Sequence, residues 1–187
     1  MSAGRPHSRD WIILTLDIQI RRCTSADGPA LALIGQCTFL ETYADVLPGA
    51  AIIAHCAKAH ALELYQAWLA DPAYQHWLAE VPGGAPVGFM VVAPPDLPLP
   101  GIGEQDAEIK RIYLLSKFQG GGVGKRFIDA AVVHAAERNV TRLLLGVYAK
   151  NHAAIGFYER CGFGKVGTRS FNVGGNLFDD FIMARSL

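Results

Sequence analysis

Hydrophobic and polar positions alternate first at Leu16, Ile18 and Ile20 against Asp17, Gln19 and Arg21, which predicts a half-buried strand over 16–23. Thr24 or Ser25 then reads as the cap of a helix running to about Tyr43, with Asp27 in the first turn, where the helix dipole favours an anion. Leu47-Pro48-Gly49 breaks that helix, and a second of about 20 residues follows, ending near Asp71-Pro72. Strands over 75–81 and 85–93 are joined by Pro82-Gly83-Gly84. Residues 94–103 carry prolines at 94, 95, 98 and 100 and read as a stiff surface loop. Beyond them the pattern predicts a strand over 107–115, a glycine-rich turn over 116–121 and a helix over 122–138. A strand over 141–148, a helix over 151–161 and strands over 164–171 and 177–185 complete the chain. The order β-α-α-β-β-β-α-β-α-β-β mixes hairpins with helical crossovers, so the predicted class is α+β around a mixed sheet. Residues 1–10 are polar and aperiodic and read as a loose arm; 11–187 read as a single domain.

Composition narrows the classes of function. Lys plus Arg number 17 and so do Asp plus Glu, so the chain lacks the broad basic surface of a non-specific nucleic-acid binder. Half of the residues are hydrophobic (51%) and 18% are charged, which excludes a disordered chain. No apolar run approaches the ~20 residues of a membrane helix. Trp11 to Leu16 follows two arginines but leads to neither a long apolar stretch nor a small-residue cleavage site, which argues against secretion. Cys23, Cys37, Cys56 and Cys161 show no metal-ligand spacing, so no metal is expected and buried thiols in a reducing cytoplasm are the reading.

The strongest chemical signal is Tyr113-Leu114-Leu115-Ser116-Lys117-Phe118-Gln119-Gly120-Gly121-Gly122-Val123-Gly124-Lys125-Arg126. A strand delivers the chain to a glycine run, and a helix starts inside it. The first N–H groups of that helix lack intrahelical partners and carry the positive end of the dipole. Glycines let a ligand approach the backbone, so the turn suits a phosphate. A Walker A loop fails twice, at Gln119 and at Arg126, and a Gly-x-Gly-x-x-Gly fingerprint fails at Lys125 or Phe127. What is left is Gln119-x-x-Gly122-x-Gly124, or a tight βα turn whose glycines only shape the backbone.

Downstream, Asn151 and Tyr158 stand seven apart, close to two helical turns, so one helix face carries an amide and a phenol. Phe157 and Cys161 would form its core stripe. Gln119, Gly122 and Gly124 with Asn151, Phe157, Tyr158, Gly162 and Phe163 resemble the GNAT superfamily of acyl-CoA-dependent N-acetyltransferases. Thr38 to Tyr43, Glu108 to Tyr113, Leu145 to Tyr148 and Asp180 to Ala184 look like the PaiA-type polyamine N-acetyltransferases; Lys110 departs from that pattern, which calls for an acid.

The resemblance implies a mostly antiparallel sheet of about seven strands flanked by about four helices, with its central strands splayed. It implies acetyl-CoA as co-substrate, its pantetheine arm beside Ile112, Tyr113 and Leu114. Its pyrophosphate would lie on Gln119, Gly120, Gly121, Gly122, Val123, Gly124 and Lys125, with Asn151, Ala154 and Tyr158 along the arm. The activity implied is acetyl transfer to a primary amine of a small molecule such as a polyamine, by direct attack in a ternary complex. A protein N-terminus or lysine as acceptor, or a CoA-binding regulator without turnover, are the alternatives. The implied chain acts in the cytoplasm without nucleic acid or membrane, and a homodimer is an assembly the resemblance allows. Tyr158 is the expected acid or thiolate stabiliser, and Glu108, sharing strand parity with Ile112 and Leu114, the expected proton acceptor. Phe39 and Tyr43, four apart on the first helix, are the expected acceptor wall. Glu41, Asp45, Asp179 and Asp180 are weaker candidates for holding substrate ammonium groups. His134 reads as a packed side chain and His152 as surface.

Overall fold

A computed structural model describes residues 17–173 and 176–187; the predicted N-terminal arm lies outside the described residues. Among the described residues seven strands form one sheet: β1 (Gln19–Arg22), β2 (Gln75–Glu80), β3 (Pro86–Ala93), β4 (Asp106–Leu114), β5 (Arg142–Tyr148), β6 (Gly164–Val173) and β7 (Asn176–Ser186). Their spatial order is β1-β2-β3-β4-β5-β7-β6. Every neighbouring pair is antiparallel except β4 and β5, which run parallel. The expected mixed α+β sheet of seven strands is therefore present.

Helices α1 (Gly28–Tyr43), α2 (Gly49–Ala59), α3 (Leu62–Ala70), α4 (Val123–Glu137) and α5 (His152–Arg160) cover it. On one face α4 and α5 bury Phe127, Ile128, Ala131, Ala135 and Tyr158 against Met90, Val92, Ile109, Leu143, Leu145 and Met183. On the other, α1 and α3 bury Leu31, Ile34 and Tyr65 against Leu78, Phe89 and Val91. The proline-rich segment also packs on this second face. Leu97 is buried with Leu144 and Ile182, so it is more than a surface loop.

The single long second helix of the sequence reading is divided into α2 and α3. Neither proline nor glycine marks the break; tertiary contacts make it. His60 is buried, its Nδ1 lies 2.9 Å from the Tyr65 hydroxyl, and its carbonyl accepts from Gln36 Nε2 at 3.1 Å. The first helix opens with a 3-10 turn at Ser25–Asp27, where the Asp27 carboxylate accepts from the Thr24 amide at 2.6 Å. The four thiols are free, and none is fully buried; Cys37 is exposed on α1.

Two irregularities position the site. The β4–β5 pairing covers only Asp106–Glu108 against Arg142–Leu144, so the two strands part beyond Glu108. In the β3–β4 register Val91 faces Arg111 and Val92 faces Ile109, which leaves Lys110 as a bulged extra residue. A bulge inverts the facing of everything after it and increases local twist. Ala107 and Ile109 before it, and Ile112 and Leu114 after it, all pack toward α4.

Candidate active site

The gap between β4 and β5 begins with main-chain chemistry. The Leu115 amide donates to the Val87 carbonyl at 2.9 Å, so alternation along the antiparallel pair turns Tyr113 and Arg111 toward β3. The main-chain groups of Ile112 and Leu114 then face the gap. The Gln119 side chain reaches back there and donates from Nε2 to the Leu114 carbonyl at 2.9 Å.

Beyond β4 a 3-10 turn at Ser116–Phe118 leads into the glycine run. Gly120 and Gly122 adopt positive φ of 79° and 81°, a region side-chain-bearing residues rarely occupy, and Gly122 is the N-cap of α4. Among the described residues no side chain caps that helix. A Cβ built at Gly120, Gly121 or Gly122 would meet nothing within 4 Å among the described residues, so the turn that opens α4 borders open space. Gly124 differs: a Cβ there would lie 3.1 Å from the Phe157 ring, so this glycine brings α4 against α5. Val123 anchors the turn in the core. Lys125 pairs with Asp129 at 2.7 Å on the exposed face, and Arg126 donates to the Ile18 carbonyl at 2.7 Å, tying α4 to the segment before β1.

On α5 the sequence expectation needs one correction. Asn151 lies just outside the helix as its N-cap, and its side-chain oxygen accepts from the Ala154 amide at 3.1 Å. The two-turn spacing therefore does not set the Asn151 direction, and the Ala154 amide is already engaged. Phe157 and Cys161 pack on the core as expected, and Tyr158 is buried with them at 8% exposure, its ring centroid 5.2 and 6.0 Å from those of Phe157 and Phe163. Burial pushes its phenol above the usual value, so it stays protonated and can donate.

Glu108 also departs from expectation. The bulge at Lys110 removes its parity with Ile112 and Leu114 and leaves it on the α1 face of the sheet. It is 4% exposed, and its Oε2 accepts from the Asp96 amide and the Lys110 ammonium, both at 3.1 Å. Burial raises its pKa, with Lys110 and the Asp96 amide pulling the other way. Lys110 turns inward, 11% exposed, and also pairs with Asp96 at 2.9 Å.

Phe39 and Tyr43 meet with ring centroids 4.6 Å apart; Phe39 is also part of a small core with Leu47 and Ile52 and stacks on His55 at 4.2 Å. Tyr43 reaches Phe178 at 6.5 Å, and Phe178 lies 5.4 Å from Tyr148, the last residue of β5. Sequence reasoning missed Tyr148, Phe178 and Arg169, since no local spacing joins α1, β5, β6 and β7. Asp180 faces Tyr148 in register and accepts from Arg169 Nε at 3.1 Å. Glu41 binds the Ser116 amide and hydroxyl at 2.9 and 2.8 Å, while Asp45 and Asp179 are exposed. His134 is buried edge-on to Trp77 and His152 is exposed, as the sequence suggested.

A mixed sheet that parts between its parallel strands above a glycine-opened helix is the architecture of an acetyltransferase fold. The chain belongs to the Acetyltransferase (GNAT) family, whose model matches residues 40–163. The uncharacterized N-acetyltransferase Rv2669 of Mycobacterium tuberculosis is 34% identical over 84 residues, 45% of this chain. The chain spans about half (54%) of that relative's length. The uncharacterized N-acetyltransferase YjgM of Escherichia coli is 29% identical over 144 residues, covering 77% of this chain and 80% of that one. Among solved structures, the PaiA N-acetyltransferase of Thermoplasma acidophilum in complex with coenzyme A matches with a TM-score of 0.76. That match covers 92% of this chain and 100% of the other at 20% identity, a likeness of fold. No helix among the described residues is long and apolar enough to cross a membrane.

Proposed function

We propose that the protein transfers the acetyl group of acetyl-CoA to a primary amine of a small molecule, by direct attack in a ternary complex. One observation carries the reading: a glycine-opened helix N-terminus, without a side-chain cap among the described residues, follows through a short turn on a strand whose edge parts from its neighbour. The amides of Gly120 to Lys125 would hold the pyrophosphate through the helix dipole and unshared N–H groups. The pantetheine arm would lie along the β4 edge, its amides pairing with Ile112 and Leu114 as an added strand does. Asn151 uses its side-chain oxygen on Ala154, which leaves its NH2 to donate to the arm.

An alkylammonium with pKa near 10.4 is neutral in roughly one molecule in a few thousand at pH 7, so the site must take its proton. Glu108 is the proposed acceptor, its carboxyl raised by burial and restrained by Lys110. Tyr158 would donate to the departing thiolate. Full transfer from a phenol to a thiolate of pKa about 8.5 is uphill by roughly 2 kcal/mol before burial is counted, so a hydrogen bond to developing charge is its favoured role.

The Lys110–Glu108 contact favours one competing reading, a CoA-binding protein without turnover, because a neighbouring ammonium makes the carboxylate a weaker base. A thiol-release assay with acetyl-CoA and a panel of amines, amino acids and peptides separates them. CoA release that depends on added amine supports the enzyme; CoA binding without release from any acceptor supports the regulator.

A further inference from the structure

Rings from four elements meet on the α1 face of the sheet, beside the C-terminal end of β5. Phe39 and Tyr43 come from α1, Tyr148 from β5 and Phe178 from β7, in a chain of centroid distances of 4.6, 6.5 and 5.4 Å. Tyr113 of β4, stacked on Phe89 at 5.7 Å, brings its phenol beside that of Tyr43. Phe39 is buried in the small core behind them, while Tyr43, Tyr148 and Phe178 are partly exposed and offer apolar faces and edges to a bound molecule.

The buried carboxylates on the same face already hold cations of the protein. Asp180, opposite Tyr148, is bound by Arg169, whose guanidinium lies across Gly146 so closely that a Cβ there would sit 2.5 Å from it. Glu108 shares the Lys110 ammonium with Asp96, and Arg169 in turn acts on Asp96. A polyamine brings an ammonium at each end and needs a carboxylate for each that enters a desolvated site. Ring faces attract a cation, but Lys110 and Arg169 oppose a further positive charge at the buried carboxylates. Asp45 and Asp179 are exposed, where solvent and salt screen an ion pair.

We infer that the acceptor is a monoamine with an aromatic or apolar body, and that polycations are poor substrates. This rests on the acetyltransferase reading and narrows its substrate. The test is steady-state acetylation of 2-phenylethylamine, ethylamine and spermidine by the unmodified protein, with coenzyme A binding measured separately by calorimetry. The expected kcat/KM for 2-phenylethylamine exceeds that for spermidine at least tenfold. Phe178→Ala should raise the KM for 2-phenylethylamine about tenfold while leaving the KM for acetyl-CoA within about twofold. Spermidine turned over as well as 2-phenylethylamine, or coenzyme A bound with no monoamine turned over, would overturn the inference. Loss of coenzyme A binding altogether would instead overturn the acetyltransferase reading beneath it.

Discussion

The ammonium of Lys110, the extra residue of a bulge, lies 3.1 Å from a carboxylate oxygen of Glu108, two residues away on the same strand. A strict two-residue alternation would also put both on one face, but it would carry Ile112 and Leu114 there as well. The bulge keeps the acid–base pair on the α1 face while returning Ile112 and Leu114 to the α4 core. A cation beside a carboxylate favours its ionised form, so removing it raises the pKa. Lys110→Met should therefore move the acidic limb of kcat/KM to higher pH, and Glu108→Gln should lower kcat by about 10²-fold or more. A pH–rate profile of each variant reads both effects.

Tyr158→Phe removes a hydroxyl from a buried ring and leaves the ring packing in place. If the phenol donates to the leaving thiolate, kcat falls by about 10²- to 10³-fold. Coenzyme A affinity by calorimetry stays within about threefold. Because burial raises the phenol pKa, the unmodified protein should show no loss of kcat from Tyr158 ionisation up to pH 9.

Gly122 and Gly124 should respond differently to one added methyl group. At Gly122 the Cβ meets open space, but φ is 81°, so Gly122→Ala costs about 1–2 kcal/mol in backbone strain and narrows the approach to the amides. At Gly124 the backbone is helical and the Phe157 ring, 3.1 Å from the new Cβ, must move. Gly124→Ala should accordingly change the α4–α5 packing first and coenzyme A affinity second. Thermal melts with and without coenzyme A distinguish the two patterns.

Arg21 binds the Asp27 carboxylate at 2.7 Å and Glu80 at 2.8 Å, joining β1 to β2 and to the start of α1. Arg21 and the Thr24 contacts hold the Asp27 carboxyl well below its usual range. A depressed carboxylate stabilises the fold above its unfolded pKa near 3.9, and that contribution is lost as pH falls through its folded value. Arg21 is 41% exposed in its side chain, so Arg21→Ala should cost only about 1 kcal/mol at pH 7. Urea melts should show the difference between the two proteins shrinking as pH falls below 4.

Much of the fold was legible because its signals are local. Apolar runs bounded by turn residues marked β2, β3 and β5, and the glycine run placed the start of α4 at Gly122–Val123. The α2–α3 break was not legible, since a buried His60 contacting Tyr65 ends the helix where no proline or glycine does. Nor was the bulge at Lys110, which depends on how β4 meets β3 and reverses the facing inferred for Glu108. The glycine turn and Tyr158 could be read from their own segments. The ring wall of Tyr148 and Phe178 could not, because only the sheet order brings β5 and β7 beside α1.

The central claim is that backbone amides at the start of α4 hold the diphosphate of coenzyme A, with the arm on the β4 edge. Titration of 15N-labelled protein with coenzyme A tests it most directly. The account predicts the largest amide shifts at Gly120 to Lys125, with smaller ones at Ile112 and Leu114. Saturable binding with those resonances unmoved, and shifts clustered elsewhere, would contradict it.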